Sequence, residues 1–135
     1  MQDLIAGRID YLCDDPSTSR PQLDGGFVKA ITTTGKQRSP ILAQIPTAHE
    51  QGLNFDITAW QGLFLARNTP EPIVRQLNAA LSKTLGLPKV QERFASLGAE
   101  IPSPEHRSTE YFRKFVADEI ARWSGPIKAS GVTVE

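Results

Sequence analysis

The sequence predicts an α/β fold, with extended segments and a short helix in its first half and three helices in its second half. The first observation is a strand–helix–strand order across residues 9–34, which implies a parallel strand pair joined by a right-handed crossover. The second is a change after residue 68, where apolar side chains begin to recur at helical spacing. These helices bring no sheet of their own to cover, so we expect the fold to be a partial one.

The first half opens with a short helical pattern, and an apolar, β-rich run at residues 9–13 then predicts a buried strand. The Asp, Pro and Ser residues at 14–19 favour a turn followed by the start of a helix. We expect that helix to reach Asp24 and to stop at Gly25-Gly26, because glycine adopts the left-handed conformation without strain. A second strand is predicted over residues 27–34.

Residues 35–55 are interrupted by prolines and glycines, which predicts a surface loop with one helical turn over residues 47–51. Residues 56–66 form a third extended stretch, richer in apolar and aromatic side chains than its flanks.

Three helices are predicted in the second half. Thr69 should cap the first of them, with Pro70 at the first helical position. Its apolar stripe comprises Ile73, Leu77, Leu81 and Leu85. A second helix over residues 89–97 should stop at Gly98.

Ser108 is the predicted cap of the last helix, whose apolar stripe includes Phe115 and Trp123. Pro126 should kink or end this helix, because proline lacks the N–H group that the helix interior requires. Gly131 closes it, and residues 132–134 have the composition of a terminal strand.

Composition argues against several classes of protein. Fifteen basic residues balance fifteen acidic ones, so no net field attracts nucleic acid or an anionic membrane. The two histidines lack metal-site spacing, the single cysteine cannot form a thiolate cluster, and Gly25-Gly26 lacks the spacing of nucleotide sites. We therefore expect no metal, no cofactor and no nucleic-acid partner.

Asp14 and Asp15 end the first predicted strand, where ligand groups usually lie in α/β folds. An adjacent acid pair can bind a cation or act in acid–base catalysis, but consecutive residues on an extended chain point to opposite faces. A turn or a helix cap is therefore the favoured interpretation. A polar loop that faces a ligand, with Ser17 and Thr18 as further members, is the second interpretation.

Cys13 and Trp60 are two further candidates for a functional role. Cys13 has no basic neighbour to lower its pKa and is expected to be a core thiol rather than a nucleophile. Trp60 is either a core aromatic or part of a cleft wall, where its flat ring would pack against a ligand. No catalytic residue is predicted.

Four stretches carry a family resemblance and together cover nearly the whole chain: MQDLIAGRIDYLCD, KAITTTGKQRSPILAQIPTAHEQGL, AWQGLFLARNTPEPIVRQLNAAL and LGAEIPSPEHRSTEYFRKFVADEIARW. In this order they resemble the substrate-binding receptors of tripartite tricarboxylate transporters, the Bug-type family. The most specific part is RSP-x-L-x-x-IPT followed by W-x-GL-x-x-x-x-x-TP.

The resemblance implies a partial fold of the type II periplasmic-binding-protein kind, in which two α/β domains flank a cleft. Residues 1–55 would be the later part of the ligand-binding domain 2, residues 56–68 the interdomain crossover strand, and residues 69–135 the helical C-terminal portion of domain 1. The first domain's ligand loop and a signal peptide, absent from the start of this chain, would then lie outside it. This would account for two observations: Met1 leads directly into a short helical pattern with no strand before it, and the helices of the second half have no sheet to cover.

The resemblance also implies a periplasmic receptor without enzymatic activity. Such a receptor binds a small carboxylate or an amino acid through main-chain N–H groups, hydroxyls and water, and passes it to membrane subunits of a tripartite carrier. Asp14 matches the acid that ends the family strand, whereas Asp15, Ser17 and Thr18 depart from the more apolar residues common there. An acid pair facing the cleft would disfavour a second ligand carboxylate and favour an amino or hydroxyl group.

Three hypotheses follow. The first is a solute receptor, or a fragment of one. The second is a truncated module that binds nothing and self-associates, as a homodimer for example, through apolar surface on Leu77, Leu81 and Phe115. The third is a small cytoplasmic enzyme that uses Asp14 or Asp15.

Overall fold

The computed structural model describes residues 1–132, so the strand predicted at 132–134 falls largely outside the described residues. The α-helices are α1 (Gln2–Ile5), α2 (Pro16–Asp24), α3 (Glu71–Leu85), α4 (Pro88–Ser96) and α5 (Thr109–Ser130), with 3-10 helices at Pro40–Leu42 and Pro104–Arg107. The chain divides into two compact units. The first unit comprises Met1–Phe64 with Gln91–Glu100, and the second comprises Leu65–Val90 with Ile101–Glu135.

Helix α2 confirms the helix predicted after the acid pair. It begins at Pro16, which is suited to the first helical position because it has no N–H group to leave unbonded. At its C-terminus the amide of Gly26 donates to the carbonyl of Leu23 (3.0 Å), and the amide of Phe27 donates to the carbonyl of Gln22 (2.9 Å). The left-handed residue of this stop is Gly26, with φ of 71°.

Among residues 1–132, none of the three predicted strands forms: residues 9–10 and 27–28 are bends, and most of the remainder of these segments has no regular secondary structure. Within the described residues, strand pairing is limited to one parallel bridge between Thr33 and Thr47. Residues 9–13, predicted to be a buried strand, are all exposed, and that prediction was wrong for this chain. The physical reason is that an extended segment becomes a strand only when a neighbouring strand takes up its backbone hydrogen bonds.

The buried residues of the first unit lie in the 3-10 helix Pro40–Leu42 and in the segment after it. In the described part of the chain they are Leu42, Thr47 and Ala48. The amide of Thr33 donates to the carbonyl of Pro46 (3.0 Å), and the amide of Ala48 donates to the carbonyl of Thr33 (2.8 Å). These bonds join the segment predicted as the second strand to the loop. The helical turn predicted over residues 47–51 is a hydrogen-bonded turn in the structure.

In the second unit, α3 begins later than expected. Pro70 is its N-cap residue, and the Thr69 hydroxyl donates instead to the carbonyl of Ala66 at 2.8 Å. The predicted cap at Thr69 is therefore wrong by one position. Asn78 on α3 donates from Nδ2 to the carbonyl of Arg107 (2.8 Å), which ties the 3-10 helix Pro104–Arg107 to α3. The same 3-10 helix also contacts α5.

Helix α5 confirms both predicted ends. Ser108 accepts a hydrogen bond from the amide of Tyr111 (3.1 Å), and Gly131 adopts the left-handed conformation at φ of 70°. The helix continues through Pro126 to Ser130, so the proline does not end it, and the predicted kink stays a prediction. Gly125 precedes the proline, and without a Cβ it avoids one of the clashes that usually end a helix before proline.

Helix α4 ends at Ser96, and the predicted stop at Gly98 is confirmed: Gly98 has φ of 70°, and the amide of Ala99 donates to the carbonyl of Phe94 at 3.0 Å. Among residues 1–132, no helix has the length and apolar character needed to cross a lipid bilayer.

Candidate functional site

The predicted ligand loop is the N-terminus of α2, and Asp15 organises it. Asp15 is the N-cap residue, and its Oδ1 accepts from the backbone amide of Ser17 at 2.8 Å and from the Ser17 hydroxyl at 2.6 Å. The structure therefore places the two residues together and gives Asp15 the capping role that the sequence favoured.

The Asp15 carbonyl oxygen holds the rest of the first turn. It accepts from the hydroxyls of Thr18 (2.8 Å) and Ser19 (3.0 Å), and from the backbone amides of the same two residues, both at 3.1 Å. Pro16 contributes no N–H group. The hydroxyl protons and the first amides of this turn are thus all directed at Asp15.

What remains at this helix end is a set of acceptors. A hydroxyl that has donated its proton keeps two lone pairs, and an ionised carboxylate only accepts. A helix N-terminus ordinarily attracts anions through its unbonded amides, but here the capping carboxylate occupies that position with a negative charge. The geometry therefore suits a ligand group that donates hydrogen bonds, such as a hydroxyl or an ammonium.

Asp14 and Trp60 are also solvent-accessible. Asp14 directly precedes the cap and is exposed, and Trp60, in the segment predicted as the third strand, is 40% exposed. Their convergence on one ligand with Ser17 and Thr18 stays a prediction. The neighbouring Cys13 is an exposed free thiol rather than the core thiol expected, because the segment that carries it has no covering layer here.

A second polar cluster, which the sequence analysis missed, joins Arg38, Thr47 and Glu50. Glu50 accepts from the Thr47 amide through Oε2 (2.7 Å), and the Thr47 hydroxyl accepts from the Glu50 amide at 3.1 Å. This reciprocal pair is a capping box, and the signal that could have found it is T-x-x-E at residues 47–50. Arg38 Nε donates to both carboxylate oxygens of Glu50, at 3.0 and 2.9 Å.

These contacts shift the ionisation of the pair. The hydrogen bond from Arg38, followed by that from the Thr47 backbone, lowers the pKa of Glu50 to about 2. The hydrogen bond and charge of Glu50 in turn raise the pKa of Arg38. Because the Arg38 and Glu50 side chains are hydrogen-bonded to each other and to the backbone, the cluster fixes the loop of the first unit.

The described residues of the first unit border surface depressions, and two of these are lined by neither residues 14–18 nor Trp60. One, of about 380 Å³, is bordered by Lys36, Gln37, His49, Asn54, Phe55 and Asp56. The Lys36 ammonium in this depression is paired with Asp56, since Lys36 Nζ lies 3.6 Å from Asp56 Oδ2. The other, of about 410 Å³, lies between α2 and the segment after Pro40, where Arg20 donates to the carbonyl of Ile41.

Among residues 1–132, no group of three or more His, Cys, Asp or Glu side chains is arranged to hold a metal ion.

Comparison with solved structures defines the class of protein. The chain is 44% identical to MatC from Rhodopseudomonas palustris with bound malate, with a TM-score of 0.82 over 90% of this chain and 42% of that one. It is 32% identical to the periplasmic binding protein BugD (TM-score 0.86; 100% and 45% of the two chains). It is 30% identical to R. palustris Rpa4515 with adipate (TM-score 0.81; 98% and 44%). The fold is thus a partial α/β fold of the periplasmic solute-binding class.

Sequence comparison then gives the family. Residues 1–132 match the family described as the tripartite tricarboxylate transporter family receptor, and the chain belongs to it. A UPF0065 protein of Agrobacterium vitis is 39% identical over 97% of this chain and 38% of its own length. BugT of Bordetella pertussis is 26% identical over 98% of this chain and 40% of its own length. The chain thus spans about two-fifths of these two relatives.

Proposed function

We propose that this chain acts as part of a periplasmic receptor that binds a small carboxylate, without turnover, for delivery to the membrane subunits of a tripartite carrier. The observation that carries the proposal is its similarity to two solved proteins that hold carboxylates. MatC, at 44% identity, has bound malate, and Rpa4515, at 30% identity, has adipate.

The proposal assigns the three regions of the chain as the family resemblance implies. Residues 1–55 are the later part of the ligand-binding domain 2, residues 56–68 the interdomain crossover, and residues 69–135 the helical portion of domain 1. The α2 N-terminus then faces the cleft from domain 2. The residues that complete the cleft belong to the part of the receptor fold that the 135 residues do not span.

The chemistry of the α2 N-terminus narrows the ligand class. A ligand carboxylate about 4 Å from the Asp15 carboxylate would be repelled by about 4 kcal/mol at the dielectric typical of a protein surface. A hydroxyl or ammonium at the same place would instead donate to Asp14, Asp15, Ser17 or Thr18. We therefore assign to this loop the recognition of the hydroxyl or amino group of a small hydroxy- or amino-carboxylate. Trp60 would form an adjacent wall.

The test is a chimera in which this chain replaces the stretch of MatC that it matches. Malate and succinate differ by one hydroxyl group, and calorimetry with each measures what that hydroxyl contributes. We expect malate to bind at least tenfold more tightly, which corresponds to about 1.4 kcal/mol. Aspartate tests the amino group in the same position.

The matched variant is Asp15→Asn, which keeps the capping oxygen but removes the negative charge and adds a donor. The preference for malate over succinate should fall in this variant while the fold is kept. A folded chimera that gives no heat with millimolar malate, succinate, adipate or any amino acid would contradict the receptor proposal. Equal affinity for malate and succinate would contradict only the assignment of the α2 loop.

A further inference from the structure

One depression of the first unit gathers polar side chains that lie outside the α2 N-terminus. Its volume is about 380 Å³, near the small end of the range for ligand pockets, about 300–1,000 Å³. Its lining residues all belong to the first unit and are Lys36, Gln37, His49, Asn54, Phe55 and Asp56. This site is called the Lys36–Asp56 depression below.

The depression holds one positive and one negative charge side by side. Lys36 Nζ lies 3.6 Å from Asp56 Oδ2, which is longer than a charge-assisted hydrogen bond, about 2.7–2.9 Å. The Lys36 side chain is 81% exposed, and exposed ion pairs contribute little stability. A ligand can therefore replace this contact at little cost, provided that it brings an anionic group to Lys36 and a cationic group to Asp56.

The uncharged lining residues offer further contacts. Among residues 1–132, the side chains of Gln37, His49 and Asn54 form no hydrogen bond and no ion pair with another residue. Each side-chain amide carries donors and an acceptor, and a neutral imidazole carries one of each. Phe55 is 45% exposed and adds an aromatic ring to the lining. The depression thus combines two opposite charges, hydrogen-bonding groups and one apolar surface.

Hydrogen bonds of the first unit hold the walls of the depression in place. The amide of Ile57 donates to the carbonyl of Thr34 at 2.9 Å, which joins the two chain segments that carry the charged pair. Arg38 and Glu50 each directly follow a lining residue in sequence, and their side chains are hydrogen-bonded to each other. A pocket whose walls are fixed before binding loses little conformational freedom when a ligand enters.

We propose that the Lys36–Asp56 depression is a second binding site, for a zwitterionic α-amino acid with an apolar or aromatic side chain. The ligand carboxylate pairs with Lys36, its ammonium group pairs with Asp56, and its side chain packs against Phe55. A carboxylate alone would face the like charge of Asp56, and an amine alone that of Lys36. The site is independent of the proposed receptor function, since neither residues 14–18 nor Trp60 border it.

Titration of the isotope-labelled 135-residue chain with L-phenylalanine, followed by NMR, tests the site. The amide signals of residues 36–37, 49 and 54–56 should shift with one dissociation constant, while those of residues 14–18 should not. Phenylpropionate lacks the amino group and phenethylamine lacks the carboxylate. Each should bind at least about tenfold more weakly, because each leaves one member of the ion pair facing a like charge. Glycine lacks the ring and should also bind more weakly.

Two substitutions should change the ligand preference in opposite directions. Lys36→Gln removes the positive charge, so phenethylamine should bind nearly as well as phenylalanine. Asp56→Asn removes the negative charge and should bring phenylpropionate close to phenylalanine. Lys29→Gln is the matched control, since Lys29 is an exposed lysine that lines the other depression of the first unit. It should leave the affinities for all three ligands unchanged.

The same titration in the MatC chimera, with malate present, should give the same dissociation constant for phenylalanine. Loss of the site there would show that the depression is covered in a complete receptor and would overturn the proposal. Equal affinities for the three ligands in the unsubstituted chain, or no shift of these signals at millimolar phenylalanine, would also overturn it. Shifts of the same signals on addition of malate alone would make the depression part of the carboxylate site. A chimera that binds phenylalanine here but no carboxylate would contradict only the receptor function.

Discussion

Arg38 donates from Nε to both carboxylate oxygens of Glu50, at 3.0 and 2.9 Å, across the loop that forms the core of the first unit. Its Nη1 also donates to the carbonyl of Ala43 at 3.0 Å. Glu50 in turn accepts from the amide of Thr47, a buried residue. One exposed ion pair thus fixes the backbone around the most buried position of that unit.

The first prediction concerns the pH dependence of this pair. Because the pKa of Glu50 falls from 4.5 to about 2 on folding, its ionised form stabilises the folded state. That contribution is complete above about pH 4.5 and is lost as the pH falls from there towards 2. We expect Glu50→Gln to lower the Tm by a few degrees at pH 6, with the gap to the unsubstituted chain closing by about pH 2.

Glutamine can still complete a capping box, so Glu50→Gln removes mainly the charge. The control is Glu71→Gln in α3, where the partner Arg75 lies 3.6 Å away on an exposed helix surface. Such pairs contribute little, and its Tm should stay within a degree of the original. A gap for Glu50→Gln that is constant from pH 6 to pH 2 would show that ionisation of Glu50 is not its cause.

The second prediction concerns the start of α5. Ser108→Ala removes the acceptor of the Tyr111 amide and should cost about 1 kcal/mol of unfolding free energy, the usual value for a lost N-cap. Ser124→Ala is the matched control, since the Ser124 hydroxyl donates only to the carbonyl of Ala121 within the same helix. In urea denaturation, Ser108→Ala should have a lower midpoint than Ser124→Ala. Equal midpoints would show that the Ser108 side chain does not stabilise the protein as an N-cap.

The third prediction concerns Gly98. A Cβ at this position would lie 2.7 Å from Cδ1 and Cγ1 of Ile41, and the residue also has φ of +70°. Gly98→Ala should therefore cost about 2–4 kcal/mol, combining left-handed backbone strain with overpacking. Gly52→Ala has φ of +85° with nothing within 4 Å of the added Cβ, and should show only the strain, about 1–2 kcal/mol.

Denaturant unfolding of both glycine variants checks this difference. Gly98→Ala should cost less unfolding free energy in a chain that already carries Ile41→Ala than in the unsubstituted chain, because the side chain that clashes with the new Cβ has then been removed. Equal costs at Gly98 and Gly52 would mean that Ile41 does not limit the space at Gly98.

The fourth prediction uses the two tryptophans. Trp123 donates from Nε1 to Glu119 at 3.1 Å and lies on α5, whereas Trp60 is assigned to the cleft wall. In the MatC chimera, malate should change the emission of the Trp123→Phe variant, and the change should be smaller when Trp60 is also replaced by Phe. A malate-induced change that is the same with and without Trp60 would place Trp60 away from the ligand.

Local signals predicted the helices well. The caps at Asp15 and Ser108 and the glycine stops at Gly26, Gly98 and Gly131 depend only on residues a few positions apart, so a single sequence contains them. The exception at Thr69 is a shift of one position, because its hydroxyl donates to a preceding carbonyl instead of accepting from the helix.

The strands could not be predicted in the same way. The apolar composition of residues 9–13 indicates a buried strand, but burial and pairing depend on segments distant in sequence or outside this chain. For the same reason Cys13 is exposed rather than in a core. At the candidate site, the sequence predicted a cap at the acid pair, and the structure assigns that role to Asp15. Whether Asp14 and Trp60 converge with it could not be predicted, since that requires the tertiary arrangement.

The most direct measurement is a crystal structure of the MatC chimera with malate. The malate 2-hydroxyl should lie within hydrogen-bond distance of an oxygen of Asp14, Asp15, Ser17 or Thr18, with both malate carboxylates held by other groups. Malate bound in the cleft with no atom of residues 14–18 within 4 Å of it would contradict the assignment.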